Sequence, residues 1–199
     1  MRQRGFTLVE LIVSIAVLGF LLMAALPSIG TWLDNTRIRN TTEALQQGLQ
    51  TARNEAIKGN REVSFFLVSL TSPHTMDDSC ALSSASGSWV VSTSSPASEC
   101  GGNEQSSPPI LASRTAGDAG GRVNVTAVAG DDSAATTVTF NGFGRAIDVG
   151  SGSGIARIDV TGPNDDTTYR PLRLLVTPAG SVRMCDPSES ITDGDPRKC

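Results

Sequence analysis

Residues 1–30 read MRQRGFTLVELIVSIAVLGFLLMAALPSIG, and within them residues 6–26 are apolar almost throughout. At 1.5 Å per residue that run rises roughly 31 Å, close to the roughly 30 Å of bilayer hydrocarbon. One acid, Glu10, interrupts it. A carboxylate near the start of a membrane-length helix is costly unless something answers its charge. The helix is therefore expected to pack, at some stage, against copies of similar helices that supply the answer.

Arg2 and Arg4 precede the run, and no basic residue follows until Arg37. The excess of positive charge on one side predicts a cytoplasmic N-terminus with the rest of the chain across the membrane. A secretory signal peptide also starts basic and continues apolar. Here, however, the basic region is only five residues and the apolar run exceeds a usual signal core. An ordinary single-pass anchor would leave Glu10 unexplained. Pro27 follows, where a proline removes a backbone hydrogen bond and kinks or breaks a helix. Pro27 and Gly30 alone would mark a helix end, but the pattern beyond them is helical again.

Within residues 36–60, Ile38, Leu45, Leu49, Ala52 and Ala56 recur at sevens, fours and threes. That spacing lays one apolar stripe along a helix, suited to packing on a sheet. Arg37, Arg39, Glu43, Arg53, Glu55 and Lys58 fall on other faces, and Gly59-Asn60 supplies a stop. From there the period changes to strands, predicted over residues 62–70, 88–93, 109–113, 122–129, 135–140, 155–161, 171–177 and 181–184. Residues 71–87 and 94–107 are Ser-rich and polar and read as loops of variable conformation. Ser, Thr, Gly and Asp abound while aromatics make up 5% of the chain, which suits an exported β-rich domain. The formal charge of −4 becomes about −6 once Arg2 and Arg4 are removed with a leader.

Gly5-Phe6-Thr7-Leu8-Val9-Glu10, with its short basic leader and long apolar run, closely resembles the class III signal of type IV pilins and type II secretion pseudopilins. The resemblance implies cleavage between Gly5 and Phe6 by a prepilin peptidase and N-methylation of Phe6. It also implies that Glu10 pairs with the terminal amine of a neighbouring subunit and so sets the axial register. Pro27 resembles the position where pilin helices bend or melt on assembly. The stretch TTEALQQGLQTARNEAIKGN (residues 41–60) resembles the head helix of the FimT, FimU and GspH group. Phe140-Asn141-Gly142-Phe143-Gly144 resembles that group's FxxxG strand-turn element. Gly180-Ser181-Val182-Arg183-Met184-Cys185-Asp186-Pro187, with a final Cys199, resembles the ending of its minor pilins.

The expected fold is α+β, the type IV pilin fold: a long N-terminal helix, half membrane-spanning and half amphipathic, packed on a β-rich head with antiparallel sheets. Its expected parts are a leader (1–5), a filament-core helix (6–30) and a head (31–199), with the amphipathic helix over about 31–60 and strands over 61–199. Cys80, Cys100, Cys185 and Cys199 allow three disulfide pairings, and export favours bridges over free thiols. We take the local pairing, Cys80 with Cys100 and Cys185 with Cys199, which matches the loop closed at the last residue in the resembled group.

Nothing in the sequence calls for a cofactor, a metal or catalysis. No nucleophile elbow, phosphate loop or metal-ligand spacing occurs, and the lone His74 falls in a predicted loop. Asp131-Asp132 and Asp165-Asp166 read as turns. The resemblance implies a minor pilin at or near a pilus tip, which primes assembly and links tip subunits to the fibre. Its expected partners are other major and minor pilins, the prepilin peptidase and the bacterial inner membrane, which the subunit leaves for an extracellular pilus. The alternatives are a pseudopilin of a type II secretion system and a DNA-capturing minor pilin. For DNA-binding members the resemblance points to a Gly-Arg-x-Arg element; this chain has Gly180-Ser181-Val182-Arg183, which keeps the second arginine as Arg183 and has Ser181 in place of the first. Arg170, Arg173 and Arg183 are the candidate phosphate contacts, against an acidic overall balance.

Overall fold

The computed structural model describes residues 7–117, 122–149, 152–164 and 168–199, without the side chains of 24–28. A single helix, α1 (Leu8–Gly59, 52 residues), leads the chain, about 78 Å long at the standard rise. Its helical course continues through Pro27 and Gly30, so neither ends it. Its C-cap is Asn60 in the left-handed conformation (φ 44°, ψ 45°), with the cap N–H bonded back to the Ala56 and Ile57 carbonyls. A short polar residue tolerates that conformation, which is why the stop falls there.

Among the described residues nine strands follow. β1 (Val63–Ser69), β2 (Ala81–Leu82), β3 (Ser88–Ser92), β4 (Ile110–Arg114) and β6 (Thr137–Phe140) form one antiparallel sheet. β1 is its centre, with β3 on one side and both β2 and β6 on the other. β5 (Asn124–Val128), β7 (Arg157–Thr161), β8 (Leu172–Val176) and β9 (Val182–Cys185) form a second, in the antiparallel order β5-β7-β8-β9. Each strand expected from the β-branched runs is present within a few residues of its expected bounds.

Both sheets pack on the C-terminal half of α1. Ile38, Leu45, Leu49, Ala52 and Ala56 are fully buried, as the stripe requires. They meet Val63, Phe65, Leu67, Trp89 and Val91 from the first sheet, and Ala127, Ile158, Val160, Leu174 and Val176 from the second. Gly48 makes the closest approach: a Cβ there would lie 2.7 Å from both the Phe65 and the Trp89 ring. Those rings pack tilted, with centroids 5.8 Å apart. Alanine at this position would push both aromatics off the helix.

Of the two segments expected to be loops, residues 94–107 hold no helix or strand, while 71–87 depart from the expectation at one short strand. Residues 71–87 contain β2, and Met76 and Cys80 from that segment pack with Cys100 over the outer face of the first sheet. Phe66, Val68, Val90 and Ile110 fill this second, smaller core. Hence β1 is buried on both faces along almost its whole length. The structure joins Cys80 to Cys100 (Cα–Cα 6.1 Å) across this cover, and Cys185 to Cys199 (Cα–Cα 5.1 Å) at the end of β9.

Candidate assembly site

Among the described residues, the first four turns of α1 present their large apolar side chains to the outside. Leu8, Val9, Leu11, Ile12, Val13, Ile15, Phe20 and Met23 are all exposed, as are the other large apolar residues described between them. An apolar surface this extensive requires a lipid or protein partner. Burial begins at Asp34, whose carboxylate accepts a 2.6 Å hydrogen bond from Arg37 and sits almost out of solvent.

Thr7 and Glu10 form a capping box. The Glu10 carboxylate accepts from the Thr7 backbone N–H (2.9 Å) and hydroxyl (2.8 Å), while Thr7 Oγ1 accepts from the Glu10 N–H (3.2 Å). Two donors at the start of α1 are thus satisfied by one pair of side chains. Within its own chain, then, Glu10 already has a partner. The T-x-x-E spacing that makes this box is legible in the sequence and is separate from the inter-subunit role expected of Glu10. Gly5 and Phe6 lie outside the described residues, as does the side chain of Pro27. Among the described residues, no helix is long and apolar enough to cross a membrane. Both ends of the expected span, residues 6–26, fall beyond what that statement covers.

At the far end of the head helix, two turns close on Arg53. Its Nε donates to the Gly144 carbonyl at 2.9 Å. Gly180 (φ +79°) packs so tightly that a Cβ would lie 1.8 Å from the same carbonyl oxygen and 3.2 Å from Arg53 Nε. Gln50, Arg53, Asn54, Gly180, Ser181 and Val182 then line a groove of about 310 Å³. In the sequence Arg53 falls off the apolar stripe, among the other charges. Its contact with Gly144, far along the chain, left no local signal.

The candidate DNA contacts are not gathered into one patch. Arg170 lies at the base of the head, where its backbone N–H donates to Asn35 Oδ1 (2.8 Å). Arg173 donates to Asp159 at 2.6 Å, and Arg157, which the sequence did not single out, pairs with the same carboxylate at 3.0 Å. Arg157 also meets Asp132 at 2.8 Å. Strand register puts Arg157, Asp159, Arg173 and Arg183 on one face of the second sheet. Arg183 donates to the Lys198 carbonyl, pinning the tail beside the Cys185–Cys199 bridge. Asp186 completes that closure, its N–H donating to the Arg197 carbonyl (2.6 Å) and its carbonyl accepting from Cys199 (3.2 Å). In the tail, hydrogen bonds from Arg197 hold the Asp195 carboxyl at about 2.

His74 is exposed. Asp131 accepts from the Ser133 N–H (3.0 Å) and hydroxyl (2.6 Å), closing a turn, while Asp165-Asp166 lie outside the described residues.

A helix bare and apolar at one end and sheathed by antiparallel sheets at the other is the architecture of the pilin class. The chain belongs to the GspH family: the model described as "Type II transport protein GspH" matches residues 41–191. The prokaryotic N-terminal methylation motif matches residues 1–26. Together they make it a type IV pilin superfamily member of the FimU and GspH-like group, a minor-pilin or pseudopilin-like structural protein. Two crystal structures of the type IV minor pilin FimU from Pseudomonas aeruginosa (strain PAO1) are similar to it, with TM-scores of 0.43 and 0.46 and 14% identity in both. They cover 73% and 77% of this chain and 90% and 91% of their own. Among proteins of curated function, none matches the chain in sequence.

Proposed function

We propose that this chain is a minor type IV pilin, built into the fibre at or near its tip, where it primes assembly and links tip subunits to the shaft. The observation that carries this reading is the exposed apolar half of α1, in which Glu10 is the single ionisable group between Phe6 and Leu33. After a prepilin peptidase cuts between Gly5 and Phe6 and Phe6 is methylated, the subunit waits in the inner membrane. Assembly then exchanges lipid for the apolar helices of other pilins. In that bundle the Glu10 carboxylate leaves its capping box for the terminal amine of a neighbour. A buried ion pair adds little net stability but specifies register, because a mismatch strands a charge in an apolar bundle. Pro27, which lacks the N–H that would bond one turn back, is the proposed point of bending as the helix is drawn in.

The test is Glu10→Ala in a strain carrying an epitope-tagged head. We expect incorporation into sheared fibres to fall about tenfold or more, as for loss of a buried charge partner, with membrane levels unchanged. Wild-type incorporation would remove the account. Labelling of the tagged head along the whole shaft would remove the tip placement.

The description of the matched family, a type II transport protein, favours one second reading: a pseudopilin of a secretion system. Deleting the gene separates the two, since loss of surface fibres supports the first and loss of protein export supports the second. DNA capture has less behind it, because Asp159 engages Arg173 and Ser181 stands where DNA-binding relatives carry arginine.

A further inference from the structure

Below the head, α1 carries a second kind of surface. Ile29, Trp32 and Leu33 share one face at helical spacing and are exposed, Trp32 to 65%. Beside Trp32 an open groove of about 510 Å³ is lined by Thr31, Trp32, Asn35, Thr168 and Arg170. Its two walls come from distant parts of the chain: one is α1, the other the segment leading into β8. Asn35 joins them through its 2.8 Å hydrogen bond from the Arg170 N–H. This bond fixes the Arg170 backbone beside the indole.

We propose that this groove seats the phosphate of a membrane phospholipid while the subunit waits in the bilayer. The proposal rests on the reading that the N-terminal half of α1 stands in the membrane. Three observations select a lipid as the occupant. The first is height. From Leu8 to Trp32 the helix rises about 36 Å, so a hydrocarbon core of about 30 Å leaves Trp32 about 6 Å beyond its far edge, in the headgroup layer. The second is chemistry. An indole with one apolar and one wet side belongs at that layer, and Arg170, which lines the same groove, carries a guanidinium that matches a phosphate in both charge and shape. The third is the boundary itself. Above the groove α1 is buried by the head from Asp34 on, and below it the helix is bare. The groove is thus the place where head, helix and bilayer surface meet, and it would fix the height at which the head rests.

The chain contains two tryptophans, and Trp89 is only 4% exposed, so it serves as an internal reference. The full-length protein is reconstituted in vesicles of equal parts phosphatidylglycerol and phosphatidylcholine, with a fraction of the lipid brominated high on the acyl chain. Flotation of the vesicles first reports whether the chain is anchored. We expect shallow bromines to quench one of two emission components and Trp32→Phe to remove that component. Native mass spectrometry of protein released from micelles mixing phosphatidylglycerol with an uncharged glycolipid then measures retained phospholipid. Arg170→Ala is expected to lower retention about fivefold, the weight of one basic side chain at an anionic surface. Inorganic phosphate at millimolar concentration should not displace the lipid; displacement would reassign the groove to free anions. Flotation without Trp32 quenching overturns the seat and leaves the anchor standing. Failure to float overturns the anchor beneath it. Quenching with Arg170→Ala retention unchanged overturns the phosphate role. Absent quenching with a Trp32→Cys cross-link to a second pilin helix would give the groove to a protein partner.

Discussion

Gly180 shows how much one residue can hold. A left-handed φ of +79° and a virtual Cβ 1.8 Å from the Gly144 carbonyl leave room for hydrogen alone. The same carbonyl accepts from Arg53, so a side chain forced in at this turn would also disturb the helix. Gly180→Ala is expected to destabilise the head by on the order of 2 kcal/mol or more, combining backbone strain with a clash against backbone. Urea denaturation of the purified protein checks this; a cost within a few tenths of a kcal/mol of wild type would show that the turn relaxes freely. In the sequence, Gly180 was legible as the first residue of a family-like ending. What requires glycine there, a carbonyl from another turn, was not, because Gly144 and Gly180 meet only after two sheets have formed. Glu10 was legible as an anomaly for the opposite reason: its cost arises from its immediate apolar neighbours. Its capping partner Thr7 is written three residues away.

At the level of elements, periodicity carried the reading well. The stripe from Ile38 to Ala56 and the strands from β1 to β9 are local patterns, and local patterns survive folding. The cover over the first sheet was different. Met76, Cys80, Cys100 and Ile110 are scattered through polar sequence, and no window of residues shows the core they make together. Only the pairing of Cys80 with Cys100 gathers them. Replacing both cysteines by serine is expected to cost on the order of 3 kcal/mol and to expose residues 71–87 and 94–107 to proteolysis before the rest of the head is cut. Limited proteolysis alongside thermal unfolding measures both. Uniform cleavage across the head would mean that the cover and the main core open as one unit.

For the molecule as a whole, composition predicted an acidic exported protein, and the fold shows how its positive charge is spent. Arg157 and Arg173 share Asp159, Arg183 holds the tail, and Arg170 stands apart at the base. Of the three candidate contacts, Arg170 and Arg183 keep clear of a carboxylate partner among the described contacts. Through these candidates a nucleic acid would find about two phosphate contacts, and if they alone bind it, log K for duplex DNA should fall with log salt at a slope no steeper than about −2. Gel shifts across a salt series measure it. A slope near about −6 that flattens in Arg183→Ala would move DNA capture ahead of the structural reading.

The unbroken run of α1 also has a mechanical meaning. No flexible linker separates the bare end from the folded end, because one helix runs from Leu8 to Gly59, its ladder of hydrogen bonds missing the rung that Pro27 cannot donate. A pull on the bare end therefore arrives in the head as shear, distributed along the stripe from Ile38 to Ala56 against two sheets at once. Shear geometry loads many contacts in parallel, whereas peeling would break them one by one. The helix is a tie-rod set in the head along half its length, and the head can be hauled by it without being unzipped.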